Sequence, residues 1–264
     1  MTDKKRILIV SQEMKPYTSI SDLSAIVNQY AQHLQDSGLE VRILMPRFGT
    51  INERRHRLHE VVRLSGMNIT VDDEDYPLII KVASLPGTRM QVYFLDNEEF
   101  FKRKFMFNDD SGKFYDDNAQ RMIFFCKGVV ETVKKFGWAP DIVHLHGWMT
   151  AMLPALLKTS YVNEPVFRES SIVYSAYENN AINEYLNAEF KSRCTENGFE
   201  DVMEHYINNG QLDLNKGASH FSDGSVVGDP EVNMDSLSEP CLDYSTELSE
   251  RNINFYEELM ELTQ

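Results

Sequence analysis

Arg6-Ile-Leu-Ile-Val-Ser11 is a short, unbroken apolar run near the start of the chain. Such a run is typical of a strand that is buried on both faces of a parallel sheet. Residues 20–37 then repeat apolar side chains at helical spacing, with Ser19 or Ser21 as the expected N-cap. A second apolar run follows at residues 41–45. Strand, helix and strand within about 40 residues predict a βαβ unit with a right-handed crossover.

The same alternation continues along the chain and predicts an α/β fold, a parallel sheet with helices on both faces. We expect helices at residues 118–136 and 150–158 and buried strands at 140–146 and 171–175. Between these and the first unit, short β-prone runs separated by Gly, Asp and Pro predict an antiparallel or mixed excursion. These runs are residues 61–64, 67–71, 78–83 and 91–95.

After Tyr177 the pattern weakens. The expected elements are helices at residues 184–190 and 199–208, a last strand at 222–228, an exposed loop at 229–246 and an acidic helix at 248–262. The last helix carries one apolar stripe, Leu248, Phe255, Leu259 and Leu262, and an amphipathic helix of this kind is expected to pack back on its own domain.

Composition indicates a globular, cytoplasmic protein. With 264 residues, 42% hydrophobic, the chain can bury a full core without disulfides or a metal. Three widely spaced cysteines exclude a disulfide framework and a CxxC zinc site, which favours a reducing compartment. No run approaches the roughly 20 apolar residues of a membrane span, and the N-terminus does not resemble a signal peptide.

Charge is distributed unevenly. Residues 1–177 contain equal numbers of acidic and basic side chains, whereas residues 178–264 carry the entire net charge of −15. A phosphate backbone is held mainly by clustered Lys and Arg, so nucleic acid is not an expected partner. An anionic membrane surface is disfavoured for the same reason.

Ligands of doubly wound sheets bind beyond the carboxyl ends of the strands. No GxGxxG fingerprint follows the first strand, so a dinucleotide is not indicated. His144 and His146 lie two residues apart and share a strand face, where they could ligate a metal. Since no nearby acid or cysteine completes a ligand set, we favour a buried His144 with His146 reaching the sheet edge. Trp148 is either a core residue or a stacking surface for a sugar ring.

Five segments, in order, resemble the N-terminal half of bacterial glycogen synthases and plant starch synthases, the retaining GT-B glycosyltransferases that use ADP-glucose. The segments are residues 9–17 (IVSQEMKPY), 40–49 (EVRILMPRFG), 92–101 (VYFLDNEEFF), 115–121 (YDDNAQR) and 137–148 (GWAPDIVHLHGW). With a weaker match at Leu214-Asn-Lys-Gly217 and Asp223-Gly-Ser-Val-Val227, the resemblance covers residues 6–231.

The resemblance implies a Rossmann-like domain whose partner is an α-glucan, with no cofactor and no metal. It also implies the site residues: His146 as the catalytic residue, and as substrate-binding residues Tyr17, Asp117, Asn118, Trp148 and Tyr177.

The chain departs from the family at the donor-facing positions. The family's Lys-Thr-Gly-Gly run is replaced by Ser19-Ile-Ser-Asp22, which removes a cation and adds an anion where a diphosphate would approach. The family's His-Asp-Trp-His run reads His146-Gly-Trp-Met149, and its Thr-Ile-His-Asn run reads Ser171-Ile-Val-Tyr174. The family's second, donor-binding domain would begin near the point where this sequence ends.

We therefore expect a glycogen/starch synthase-like domain at residues 1–231, followed by an acidic loop and helix at 232–264 that pack on it. Whether the isolated chain is an enzyme stays open, because the donor-site groups are degenerate. One alternative is a non-catalytic α-glucan-binding or regulatory relative. Another is a half-enzyme that a partner polypeptide completes, and a third is a nucleotide-binding domain of unrelated function.

Overall fold

The computed structural model of the protein describes residues 4–243, 245 and 250–262. The strands are β1 (Arg6–Ser11), β2 (Glu40–Pro46), β3 (His59–Glu60), β4 (Met67–Val71), β5 (Glu74–Ser84), β6 (Gln91–Asp96), β7 (Ile142–His146), β8 (Ser171–Ala176), β9 (Ile207–Asn208), β10 (Gln211–Leu212), β11 (Gly224–Val227) and β12 (Cys241–Leu242).

The α-helices are α1 (Leu23–Asp36), α2 (Glu53–His56), α3 (Glu98–Phe101), α4 (Asn118–Phe136), α5 (Leu153–Lys158), α6 (Asn180–Leu186), α7 (Phe190–Glu196), α8 (Leu214–His220) and α9 (Glu250–Leu262). Short 3-10 helices lie at Trp148–Thr150, Pro165–Phe167, Glu200–Tyr206 and Met234–Ser236.

The predicted α/β fold is confirmed. In the described part of the chain, the central sheet runs in the order β12-β11-β8-β7-β1-β2-β6-β5-β3, and β4 pairs with β5. Pairing is parallel from β12 to β6 and antiparallel at β5, β3 and β4, so the predicted excursion forms one end of the sheet. Helices flank this mostly parallel sheet.

The longest helix shows why local sequence determines these elements. On α4, Met122, Phe125, Val129 and Val133 recur at helical spacing and are fully or almost fully buried. Gly137 ends the helix in the left-handed conformation, with φ of 60°, which a glycine adopts without strain. The predicted bounds of 118–136 are confirmed.

Several predicted elements were wrong in place or type. Residues 62–64 form a turn after the short strand β3, and the expected helix at 184–190 is interrupted by a turn at 187–189 that separates α6 from α7. Residues 200–206 are a 3-10 helix, and the supposed loop at 229–246 contains β12. These are short elements, and tertiary pairing outweighs their weak local preference.

The start of α1 also corrects a prediction. Asp22, not Ser19 or Ser21, occupies the N-cap position, and its side chain makes no capping hydrogen bond. Both the hydroxyl and the backbone N–H of Ser21 bind the Glu13 carboxylate instead.

The described part of the C-terminal helix buries three apolar residues, Phe255, Tyr256 and Leu259, together with Asn252. Leu262 was expected on the buried stripe but is 80% exposed, so that part of the prediction was wrong. Leu248, the fourth expected member, lies outside the described residues. None of the described helices is long and apolar enough to span a membrane.

Candidate functional site

His146 is the last residue of β7, at the carboxyl end of a central strand. The sheet register places it between Ser11 of β1 and Ser175 of β8. Carboxyl ends of parallel strands meet at one edge of the sheet, which is where ligands of such folds bind. The expected position of His146 at this edge agrees with the structure.

His144 and His146 form a buried pair whose ring centroids are 4.1 Å apart. The Nδ1 atom of His144 lies 2.6 Å from the Tyr256 hydroxyl, and its Nε2 atom lies 2.7 Å from the Ser175 hydroxyl. A neutral imidazole has one donor and one acceptor, so both are used. His144 is therefore a fully satisfied core residue that joins β7 to α9.

His146 differs because only one of its nitrogens is satisfied. Its Nδ1 atom lies 3.0 Å from the Tyr177 hydroxyl, whereas its buried Nε2 atom has no hydrogen-bond partner among the described residues. Burial lowers the pKa of His146 to about 3, so the ring is neutral at pH 7. The neutral ring offers no positive charge to a ligand, and its unpartnered Nε2 atom is the hydrogen-bonding group that remains.

A cavity of about 280 Å³, here called the imidazole cavity, opens beside this ring. Its lining includes His146, Tyr30, Tyr177, Asp22, Arg251 and Asn252. The guanidinium of Arg251 donates to the backbone carbonyl of Asp243 at 2.7 Å. The terminal helix α9 thus forms one wall of the cavity.

A second cavity of about 290 Å³, the loop cavity, lies next to the first and shares Tyr177 and Asp22 with it. Trp148 borders it, with its ring 5.1 Å from that of Phe107, and is 7% exposed. Glu178 and Asp229 also line it, and no Lys or Arg does. The loop cavity therefore has an acidic character.

Gly147 lets the chain turn between the two cavities. Its φ of 88° is left-handed, and a Cβ atom there would lie 2.5 Å from Cδ and Oε1 of Gln12. The Gln12 Oε1 atom accepts a hydrogen bond from the backbone N–H of Met149 at 3.2 Å. A side chain at position 147 would displace this contact.

In the loop after β1, a carboxylate binds backbone N–H groups of the same loop. Glu13 is 1% exposed and accepts hydrogen bonds from the backbone N–H groups of Ile20 (2.9 Å) and Ser21 (3.1 Å). These N–H groups precede α1, where an external anion would otherwise bind. This role of Glu13 was not predicted from the sequence, because Glu13 lies ten residues before α1 and only the folded loop brings it to these N–H groups.

Asp117 and Asn118 are engaged in a different network. Both Asp117 oxygens accept from the Arg103 guanidinium, and the Asn118 amide donates to the Phe107 carbonyl at 2.9 Å. Asn118 also accepts from the buried Arg121 at 2.6 Å, and burial lowers the pKa of Arg121 to about 10. The Nη2 atom of Arg121 has no partner among the described residues.

Tyr17 lines neither the imidazole nor the loop cavity. Its ring meets those of His56 and Phe94 at 5.0 and 4.9 Å, and its hydroxyl donates to the Ser84 carbonyl at 3.2 Å. The structure thus brings His146, Tyr177 and Trp148 together and holds Tyr17, Asp117 and Asn118 in other contacts. No group of three His, Cys, Asp or Glu side chains in the described ranges could hold a metal ion.

The family model of the starch synthase catalytic domain matches residues 6–237. The chain belongs to that family. Glycogen synthases of Chlorobium limicola and Chlorobaculum tepidum are 41% and 40% identical over 173 residues, which is 65% of this chain and 35% and 36% of theirs.

A solved structure supports the same fold. The catalytic domain of starch synthase IV from Arabidopsis thaliana, bound to ADP and acarbose, matches with a TM-score of 0.68 and 21% identity. The match covers 84% of this chain and 44% of that one. This glycogen/starch synthase-like domain thus spans only about a third of the length of the curated relatives it matches.

Proposed function

We propose that this domain is the α-glucan-facing part of a starch/glycogen synthase-type protein and that its own first loop does not hold the diphosphate of ADP-glucose. The observation that carries the proposal is the Glu13 carboxylate bound to the N–H groups of Ile20 and Ser21. A donor phosphate would have to displace this internal anion, which is already bound without loss of translational freedom.

The charge around the loop cavity supports this proposal. Asp22, Glu178 and Asp229 line it, and Ser19 stands where the family's lysine would face the donor. A charge-assisted hydrogen bond is worth about 1.5–3 kcal/mol, so its loss alone costs about one to two decades in affinity. The carboxylates add repulsion to this loss.

An uncharged, hydroxyl-rich ligand suits the same groups. The free Nε2 atom of His146, the Tyr177 hydroxyl and the Trp148 ring offer neutral hydrogen bonds and an aromatic surface. We assign His146 to a sugar hydroxyl at the reacting end of the glucan, with Tyr177 orienting the imidazole and Trp148 beside the neighbouring sugar.

Calorimetry tests this proposal with maltoheptaose, ADP and ADP-glucose on the same preparation. We expect saturable binding of maltoheptaose and, for ADP-glucose, an affinity weaker than low micromolar. His146→Gln should weaken maltoheptaose binding about tenfold, since one hydrogen bond is lost. His33→Gln, a partly exposed histidine on α1, is the matched control. ADP-glucose binding in the low micromolar range, or unchanged maltoheptaose binding in His146→Gln, would contradict the proposal.

A second candidate function is a transferase half that is completed by donor-binding groups on another polypeptide. Its support is membership of the family over residues 6–237 together with the position of His146 at the sheet edge. The test is incorporation of radiolabelled glucose from ADP-glucose into glycogen, with and without a separately expressed donor domain of a relative. Absence of incorporation in every combination would leave only the binding function.

A further inference from the structure

A third cavity lies apart from the two beside His146, at the antiparallel end of the sheet. Its volume is about 570 Å³, within the range of small-molecule sites. Its polar lining comes from the loop after β1, from α2 and the turn that follows it, and from β3 and the end of β5. The residues that matter are Tyr17, Arg55, His56, Arg57, His59 and Ser84.

The charge of this cavity is positive and uncompensated. Arg55 and Arg57 are exposed and form no ion pair with the residues the structure describes. The neighbouring Glu53 forms ion pairs with Arg47 and Lys81, and no acidic side chain lines the cavity. Burial, and after it the charge of Arg55, lower the pKa of His56. In a chain with a net charge of −15, this cavity is thus lined by two cations that have no acidic partner among the described residues.

The wall that carries these cations is held by specific contacts. Asn52 caps α2 by accepting from the backbone N–H of Arg55 at 3.0 Å, and Arg57 follows in the left-handed conformation with φ of 55°. The His56 ring packs edge-on against Tyr17, whose hydroxyl is bound to the carbonyl of Ser84. The cations therefore project from a capped turn that is anchored to the sheet.

We infer that this cavity binds a small organic phosphomonoester. The guanidinium groups of Arg55 and Arg57 match phosphate oxygens, and guanidinium–phosphate pairs are among the strongest charge-assisted contacts. The volume exceeds what a bare phosphate fills, and the rest of the lining combines the polar side chains of His56, His59 and Ser84 with the Tyr17 ring, Ala83 and Pro86. This surface suits the carbon skeleton of the ligand.

Calorimetry at physiological ionic strength, with glucose 6-phosphate, inorganic phosphate and glucose as probes, tests the inference. We expect glucose 6-phosphate to bind saturably and more tightly than inorganic phosphate, and glucose not to bind. The double variant Arg55→Gln/Arg57→Gln should weaken glucose 6-phosphate binding about tenfold to hundredfold.

The matched control is Arg54→Gln/Arg168→Gln, which removes the same charge from two exposed arginines outside the cavity. Melting curves establish that both double variants are folded. No saturable binding to the wild-type protein, equal affinity for inorganic phosphate, or an equal loss in the control would overturn the inference. Maltoheptaose binding, measured on the same variants, should be unchanged. The test of this phosphate site is therefore independent of the test of the proposed glucan function.

Discussion

At the scale of single residues, the chemistry of the site depends on histidines that stay neutral. Burial lowers the pKa of His146 to about 3, and burial followed by the neighbouring His146 lowers that of His144 well below its usual value. The folded state therefore does not take up the protons that the unfolded chain accepts below a pH of about 6.5.

The first prediction concerns the pH dependence of stability. Because both folded-state pKa values are depressed, the free energy of unfolding should be constant above pH 7 and fall as the pH drops below about 6.5. Each pH unit costs up to about 1.4 kcal/mol per buried histidine. Urea unfolding between pH 5 and 7 measures the slope, in a range where most carboxylates stay ionised.

His146→Gln should reduce that slope by about one proton, because the buried imidazole is then absent from both states. Equal slopes in the wild-type protein and His146→Gln would mean that His146 is not held neutral by burial.

The second prediction concerns Gly147. Gly147→Ala should destabilise the fold, because its Cβ would meet Gln12 in addition to the strain of a left-handed φ. Gly112 is the matched control, since its φ of 86° is similar but nothing lies within 4 Å of an added Cβ. We expect Gly112→Ala to cost about 1 kcal/mol and Gly147→Ala about 1–3 kcal/mol more. If urea unfolding gives equal losses of unfolding free energy for the two variants, the Gln12 side chain moves aside without a free-energy cost.

At the scale of elements, helix α9 packs directly on the central sheet. A Cβ at Gly224 of β11 would lie 2.8 Å from both Leu259 and Phe255, so the helix lies directly on this strand. Tyr256 reaches His144 on β7. The helix thus connects two strands that carry the site.

The third prediction compares two leucines of α9. Leu259 is 1% exposed and Leu262 is 80% exposed. Leu259→Ala should lower the free energy of unfolding by about 2–5 kcal/mol because it leaves a cavity. Leu262→Ala makes the same chemical change on the same helix and should stay within about 0.5 kcal/mol. Similar losses of unfolding free energy in the two variants would contradict the burial of Leu259 and the exposure of Leu262 described here.

At the scale of the whole molecule, the acidic last third and the neutral first part form one structure. The exposed acids Glu257, Glu258 and Glu261 face outward from α9, while its apolar residues complete the core. We propose that the described part of residues 232–264 acts as a cover for the domain at 1–231.

The fourth prediction follows from this cover. Truncation before Ser245 should lower the melting temperature and increase ANS fluorescence, because Phe255, Tyr256 and Leu259 leave the core and uncover the His144 face. Full-length Leu262→Ala should melt like the wild-type protein. An unchanged melting curve after truncation would show that the tail only adds charge.

The sequence alone determined the parallel core of the fold and its family. The apolar runs of β1 and β7 can only be buried on both faces, and the 19 residues of α4 carry a strong helical period between Asn118 and Gly137. The place of His146 at a sheet edge follows from these two patterns, since the end of a strand is a local property.

Only the tertiary structure decided which side chains share a cavity and which already bind other groups of the protein. Tyr17 lines a basic cavity, Asp117 binds Arg103, and Glu13 binds the N–H groups before α1, although Tyr17, Asp117 and Glu13 all lie in segments that resemble the family. Each of these contacts joins residues brought together by chain turns, and neither periodicity nor composition encodes such distances. Polar side chains bind the nearest satisfying partner in the folded state, so their availability to a ligand is a property of packing.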